Sequence, residues 1–247
     1  MIDDSSVVLI TGAARRIGAS IARSLHGQGY RVLIHYRHSK TEAQSLALQL
    51  NQIRPDSARL LQAELDSVEA VEQLAVAAEQ SWGRINALVN NASGFSATTI
   101  GEVKEQQWDE LMASNLKAPF FLSQALATTL AANQGAIVNI VDIHSLRPLQ
   151  GFPVYSTAKA GLRMLTQALA KELAPNIRVN GVAPGLILWP EGGAEQSAAD
   201  KQTLLNKTPL KRAGQPEDIA NAVSFLLQQP YITGQILAVD GGKSLYS

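Results

Sequence analysis

Tyr155-Ser156-Thr157-Ala158-Lys159 sets a phenol and an ammonium four residues apart. On a helix that spacing places both on one face, one turn from each other. An ammonium there lowers the pKa of the phenol and can bind the hydroxyls of a ribose. The chemistry implied is proton transfer beside a nucleotide. A second stretch points to the nucleotide itself. Thr11-Gly12-Ala13-Ala14-Arg15-Arg16-Ile17-Gly18 lies between an apolar run and a helical pattern. Small residues in such a turn let the backbone approach a pyrophosphate, and the free N–H groups of the helix face the anion. The usual GxGxxG spacing is absent, and Arg16 stands where a middle glycine is expected. A third stretch, Arg37, His38, Ser39 and Lys40, closes the second apolar run, and residues 31–41 contain no Asp or Glu. NAD sites place an acid there for the ribose 2′-hydroxyl; cations and a hydroxyl, with no repulsive carboxylate, suit a 2′-phosphate instead. The expected cofactor is NADPH rather than NADH.

The elements that must position these residues alternate along the chain. Apolar runs predict strands over residues 7–11, 32–36, 59–62, 87–90, 136–141, 178–183 and 236–239. Helical spacing predicts helices over 16–26, 41–53, 68–82, 153–173, 197–207 and 217–228, with one or two more in 108–132. This β-α-β order implies an α/β fold: a doubly wound parallel sheet with helices on both faces. Tyr155 then follows the fifth strand, whose carboxyl end opens into the crevice where such sheets bind ligands. No Pro-, Gly- or Ser-rich linker interrupts the pattern, so residues 1–247 read as one domain. The unusual loop is 185–196, with Trp189, Pro190 and Gly192-Gly193.

Composition narrows the classes further. The 21 Lys and Arg balance the 21 Asp and Glu, which argues against a nucleic-acid binder or a polybasic membrane surface. Apolar residues at 46% and charged residues at 17% support a large core and argue against disorder. The absence of cysteine excludes disulfides, thiolate metal sites and a cysteine nucleophile, and no metal is expected. No apolar run reaches the roughly 18 residues of a membrane span, and the start of the chain has acids and no basic region. The expected location is cytoplasmic.

Taken in order, Thr11-Gly12 to Gly18, Asn90-Asn91-Ala92, Asn115, Tyr155/Lys159, Asn180 to Gly185 and Asp240-Gly241-Gly242 resemble the short-chain dehydrogenases/reductases over essentially the full length. The resemblance implies a Rossmann-like, three-layer αβα sheet of about seven strands and, usually, a homotetramer. Two departures narrow it. Asp142 replaces the usual serine thirteen residues before the tyrosine, and Arg16 replaces the middle glycine. Both are similar to the pteridine reductases of the family, as are His35-Tyr36-Arg37-His38-Ser39 and Asn91-Ala92-Ser93-Gly94-Phe95. The function so implied is NADPH-dependent reduction of a dihydropterin, such as dihydrobiopterin, dihydromonapterin or dihydrofolate.

By the same resemblance the catalytic set is Asp142, Tyr155, Lys159 and Asn115. Cofactor contacts are implied at Gly12, Arg16, Ile17, Gly18, Tyr36, Arg37, His38, Ser39, Glu64, Asn91, Ala92, Ser93, Tyr155, Lys159, Pro184 and Gly185, with Glu64 near the adenine. Substrate contacts are implied at Arg16, Ser93, Phe95, Asp142, Tyr155, Leu186 and Trp189. A carboxyl at 142 can hydrogen-bond the tyrosine and bias its proton: ionised, it raises the Tyr155 pKa against Lys159; protonated, it donates. Phe95 either stacks a pterin against the nicotinamide or is core. Asn115 either shapes its helix and holds a water on the proton path to Lys159, or is purely structural. The 185–196 loop is a lid carrying Leu188 and Trp189, or an insertion. Two other functions remain open: a carbonyl or oxoacyl reductase, for which Ser145 would have to replace the missing serine, and a non-catalytic NADP(H) sensor.

Overall fold

In the computed structural model, residues 6–188 and 198–245 are described, with only the backbone given for residues 198–201. Seven strands form one parallel sheet: β1 (Val7–Ile10), β2 (Arg31–Tyr36), β3 (Ala58–Gln62), β4 (Ala87–Asn90), β5 (Ala136–Ile140), β6 (Arg178–Pro184) and β7 (Ile236–Val239). Their spatial order is β3-β2-β1-β4-β5-β6-β7. The strand order reverses between β1 and β4, which opens a crevice at their carboxyl ends.

Nine α-helices are described: α1 (Arg16–Gly27), α2 (Lys40–Ile53), α3 (Val68–Trp82), α4 (Glu105–Met112), α5 (Ala118–Ala125), α6 (Ala127–Ala132), α7 (Pro153–Glu172), α8 (Ala198–Asn206) and α9 (Pro216–Gln228). The strands are apolar on both faces, as a sheet covered on both sides requires. Their period of two divides the core. Val8, Ile10, Val32 and Ile34 pack with Ile21, Leu25, Leu46 and Val223 of α1, α2 and α9. Val7, Leu9, Leu33 and Leu88 pack with Val71, Leu74, Leu122 and Ala170 of α3, α5 and α7. The result is the three-layer, Rossmann-like doubly wound fold, with a helix layer on each side. Among the described residues no helix is long and apolar enough to cross a membrane.

Outside residues 108–132, predicted and observed element limits differ by no more than one residue. The larger correction falls on 108–132. The helical stretch begins at Glu105 and holds three α-helices, with a π-helical turn (Ala113–Lys117) between α4 and α5. Lys104 supplies an N-cap whose backbone N–H donates to Gln107 Oε1, a local start signal lying before the apolar periodicity begins.

Two interactions fasten the β1 turn. Thr11 Oγ1 accepts from the backbone N–H groups of Asn91 (2.9 Å) and Ala92 (3.0 Å), tying the end of β1 to the end of β4. His35, on β2, accepts the Gly12 N–H at Nδ1 (3.1 Å) and contacts the Ala63 carbonyl through Nε2 (3.2 Å). A backbone N–H only donates and a carbonyl only accepts, so the ring is the neutral Nε2–H tautomer. Burial lowers its pKa to about 4, against a smaller raising effect of the Ala63 carbonyl.

His35 is a base whose folded pKa lies below its unfolded value of 6.5. Its contribution is therefore complete above 6.5 and is lost as pH falls toward about 4. His35→Asn keeps an acceptor near Nδ1 but does not titrate. Between pH 7 and pH 5 the wild-type chain is expected to lose about 2 kcal/mol more stability than this variant. Urea unfolding at the two pH values checks this, and equal losses contradict it.

Candidate active site

A cleft of about 720 Å³ runs along the carboxyl ends of β1 to β4. It is lined by Gly12, Arg15, Arg16, Ile17 and Gly18 after β1, by Tyr36 and Arg37 to Ser39 at the end of β2, by Glu64 after β3 and by Asn91 to Ser96 after β4. The residues expected to hold a dinucleotide from the turn to Phe95 thus line one groove. The backbone there is shaped for close approach. Gly12 has φ +61°. A Cβ on Gly18 would sit 2.3 Å from the Gly12 carbonyl oxygen and 2.7 Å from Asn91 Nδ2, so only glycine fits. No side chain caps α1, leaving its first turn directed at the groove. Arg16, at the position of the expected glycine, itself adopts φ 54°, a conformation that costs a non-glycine residue about 1 kcal/mol.

One expectation about the charge pattern is corrected. Residues 31–41 hold no acid, yet a carboxylate does reach this end of the groove from the next strand. Glu64 Oε2 lies 2.5 Å from Arg37 Nε, and Glu64 Oε1 lies 4.0 Å from His38 Nδ1. Glu64, expected near the adenine, is paired with Arg37. The parallel register brings them together: Tyr36 pairs with Gln62, so the residues that follow leave the sheet side by side.

The proton-transfer residues gather at the end of β5. Tyr155 and Lys159 share one face at the start of α7, whose first turn contains Pro153. Tyr155 donates its hydroxyl hydrogen to Asp142 Oδ2 at 2.7 Å. Asp142 Oδ1 accepts the His144 N–H at 2.7 Å, which fixes the carboxyl as the cap of a 3-10 turn (Ile143–Ser145). Lys159 is buried, with Nζ donating to the Ile140 carbonyl at 2.9 Å and lying 5.7 Å from the Tyr155 ring centre.

Of the two opposed effects expected on the phenol, that of Asp142 sets the direction, together with burial. Burial pushes Tyr155 well above its usual range, and the charge and hydrogen bond of Asp142 push the same way. Burial draws Lys159 down to about 8, opposed by the attraction of Asp142. At neutral pH the phenol therefore keeps its proton.

Phe95 links the groove to this group. It is half-exposed, packs edge-on to Tyr155 (ring centres 4.9 Å, 88° between planes) and stacks on Phe152 (4.5 Å, 12°). Phe152 was not among the expected residues. It lies three positions before Tyr155, at the N-cap of α7, and nothing local in the sequence pairs it with Phe95. It covers one face of Phe95, so a flat substrate has only the other. Thr98 anchors the loop: its N–H donates to the Gly151 carbonyl (2.8 Å) and its Oγ1 accepts from Val154 N–H (3.4 Å).

Asn115 lies in the π-helical turn and is buried. Its Nδ2 donates to the carbonyls of Gly94 and Leu111 (2.9 Å each), and its Oδ1 accepts from Ser93 Oγ (2.7 Å). These bonds fix the loop after β4, the structural role that was one of the two expected of Asn115. They also engage the Ser93 hydroxyl expected to meet cofactor or substrate. Asn115, Asp142, Tyr155 and Lys159 do not line the groove, nor do Pro184, Gly185 and Leu186 at the end of β6. Leu186 accepts the Gly214 N–H (2.9 Å), and a Cβ on Gly185 would meet Asp240 at 2.6 Å. Leu188, expected on a lid, packs against the core instead. Trp189 and the rest of the expected lid to residue 196 lie outside the described residues. Lys243 is a further residue not anticipated. Burial lowers its pKa, and the charges of Asp142 and Asp240 oppose that shift.

Comparison with known proteins matches this arrangement to a family. The family pattern described as enoyl-(acyl carrier protein) reductase matches residues 12–244. The chain is 38% identical to pteridine reductase 1 of Leishmania tarentolae, over 97% of this chain and 96% of that protein. It is 36% identical to the 3-oxoacyl-[acyl-carrier-protein] reductases of Staphylococcus aureus strain Mu50 (95% and 96% covered) and Staphylococcus epidermidis strain RP62A (95% and 97%). With its sheet order, glycine turn and Tyr155/Lys159 pair, the chain belongs to the short-chain dehydrogenases/reductases, the NAD(P)-dependent oxidoreductases of this fold.

Proposed function

We propose that the protein is an NADPH-dependent pteridine reductase that converts a dihydropterin or dihydrofolate to its tetrahydro form. The observation that carries this reading is the 2.7 Å hydrogen bond from Tyr155 to Asp142, beside the half-exposed ring of Phe95. The groove fits a dinucleotide: its glycines admit a pyrophosphate, and Arg15, Arg16 and Arg37 supply positive charge. NADPH, when bound, supplies the hydride. Phe95 offers its uncovered face to a flat heterocycle and holds the reacting ring against the nicotinamide end of the groove. The imine carbon of the dihydropterin gains the hydride, and the imine nitrogen gains a proton from the Tyr155–Asp142 pair. The Tyr155 hydroxyl is the donor in that contact and Asp142 the acceptor. Lys159 sets an ammonium beside them and moderates the charge of Asp142.

The second reading, an oxoacyl reductase, is favoured by the near-equal identity of the staphylococcal relatives. That chemistry calls for a hydroxyl to hold the substrate carbonyl. Ser145 is the available one, and its buried Oγ has no hydrogen-bond partner, so it does not bond the Tyr155 hydroxyl. NADPH oxidation with a panel of dihydropterins, dihydrofolate and an acetoacetyl thioester separates the readings. Dihydropterins are expected to turn over, and Asp142→Ser to lower their kcat by about a hundredfold with NADPH affinity unchanged. Reduction of the thioester without reduction of any dihydropterin overturns the proposal.

Arg16→Gly separates backbone from guanidinium. Glycine accepts φ 54° without strain, so stability is expected to hold or rise by about 1 kcal/mol, while KM for NADPH or pterin rises. Thermal melting with steady-state kinetics checks both.

The assembly proposed is a homotetramer. Trp108, Phe120 and Met164 expose apolar surface on α4, α5 and α7, and Phe225, Tyr231 and Leu237 do so around α9 and β7. Two such apolar faces, each paired with its counterpart on another copy, would give a closed assembly of about four chains. Light scattering is expected to read that mass, and Phe225→Glu to reduce it to a dimer or less.

A further inference from the structure

We infer that Glu64 sets how strongly the groove prefers a 2′-phosphorylated nucleotide, by acting as the counter-ion that this phosphate must displace from Arg37. The inference rests on the NADPH reading above and assigns Glu64 a role opposite to that of a nucleotide ligand. Glu64 Oε2 lies 2.5 Å from Arg37 Nε, and Oε1 lies 4.0 Å from His38 Nδ1. The carboxylate thus engages one of the residues that make this end of the groove attractive to an anion and lies beside another. The contact is not the product of one free rotamer. The β2–β3 register pairs Tyr36 with Gln62, Ala63 N–H donates to the Tyr36 carbonyl (3.3 Å), and Gln62 Nε2 donates to the Arg37 carbonyl (3.2 Å). Residues 37 and 64 therefore leave the sheet together, and a glutamate side chain spans the gap.

A phosphate binds arginine through two parallel N–H groups, so a carboxylate on Nε takes half of one such fork. Both partners are partly exposed, with side-chain accessibilities of 64% and 42%. An ion pair so placed is weak enough for a doubly charged phosphate to displace, and strong enough to shift its affinity by a few-fold. A nucleotide without that phosphate has no need of the Arg37 fork, and the pair leaves it unhindered.

The test is calorimetric binding of adenosine 2′,5′-bisphosphate and AMP to the wild-type chain and to Glu64→Gln, Arg37→Gln and the double variant. The wild type is expected to bind the bisphosphate more tightly. Glu64→Gln is expected to widen that ratio about fivefold, by tightening the bisphosphate. Arg37→Gln is expected to narrow it, and Glu64→Gln then to add nothing, as a coupled pair requires. If the wild type discriminates and Glu64→Gln leaves the ratio unchanged or smaller, Glu64 is not the counter-ion and the inference fails alone. Equal loss of both nucleotides in Glu64→Gln would make it an adenine ligand and also overturns the inference. If the wild type itself does not discriminate, the NADPH reading fails and takes the inference with it. Thermal melts of each variant establish that the binding changes arise in folded protein.

Discussion

A phenol buried against a carboxylate is held to its proton by two effects that act together, loss of hydration and like charge. The bond between Tyr155 and Asp142 is such a contact, and the rest of the site is arranged around it. Lys159 supplies the opposite charge, yet its ammonium is itself buried and bonded to the Ile140 carbonyl. Its attraction to Asp142 offsets part of its own desolvation rather than freeing the phenol. The three side chains form one electrostatic unit, in which moving any proton changes the affinity of the other two sites. Such a unit keeps the phenol in its protonated form at neutral pH.

The sheet accounts for the meeting of these groups. Strand alternation gives two apolar faces, each sealed by its own helices, so every strand must end at the same edge of the core. At that edge the loops are tied sideways. Thr11 holds the β4 loop, His35 holds Gly12, Asn115 holds Ser93 and Gly94, and Thr98 holds the start of α7. Phe95 stands at the end of this chain of ties, between the groove and Tyr155. Its stacking on Phe152 adds roughly 1 kcal/mol to the seam and fixes which face remains open.

Much of this was legible along the chain because it is local or periodic. Apolar runs with helical stretches between them are enough for strand limits within a residue and for the parallel order. The four-residue spacing of Tyr155 and Lys159, and the small residues around Gly12 and Gly18, carry their geometry in the sequence itself. What was not legible depends on register between distant segments. The absence of acid in residues 31–41 looked like a clear field for a phosphate, whereas Glu64 enters from β3, 27 positions beyond Arg37. Asn115 read equally as a holder of water on a proton path or as a structural residue, and its side-chain partners Ser93 and Gly94 come from a loop 21 to 22 positions earlier. The direction of the Tyr155 shift was likewise a matter of burial, which a spacing of four does not report.

The exchange of serine for Asp142 bears on which substrates such a site can serve. Reduction of a ketone builds negative charge on oxygen, and a hydroxyl beside the phenol stabilises it by donating a hydrogen bond. A carboxylate at that place can only accept, and its charge opposes an oxyanion. Reduction of an imine has the opposite demand. The nitrogen becomes more basic as the carbon receives hydride, and it finishes by holding a proton. A negative charge nearby favours that outcome and lets the phenol be reprotonated through the same contact. The oxygens of Asp142 are held by Tyr155 and by the His144 N–H, so the carboxyl cannot swing away to let a serine-like geometry form. Under the proposed reading, the bias toward a substrate that ends as an amine is set by the carboxyl that caps this short 3-10 turn.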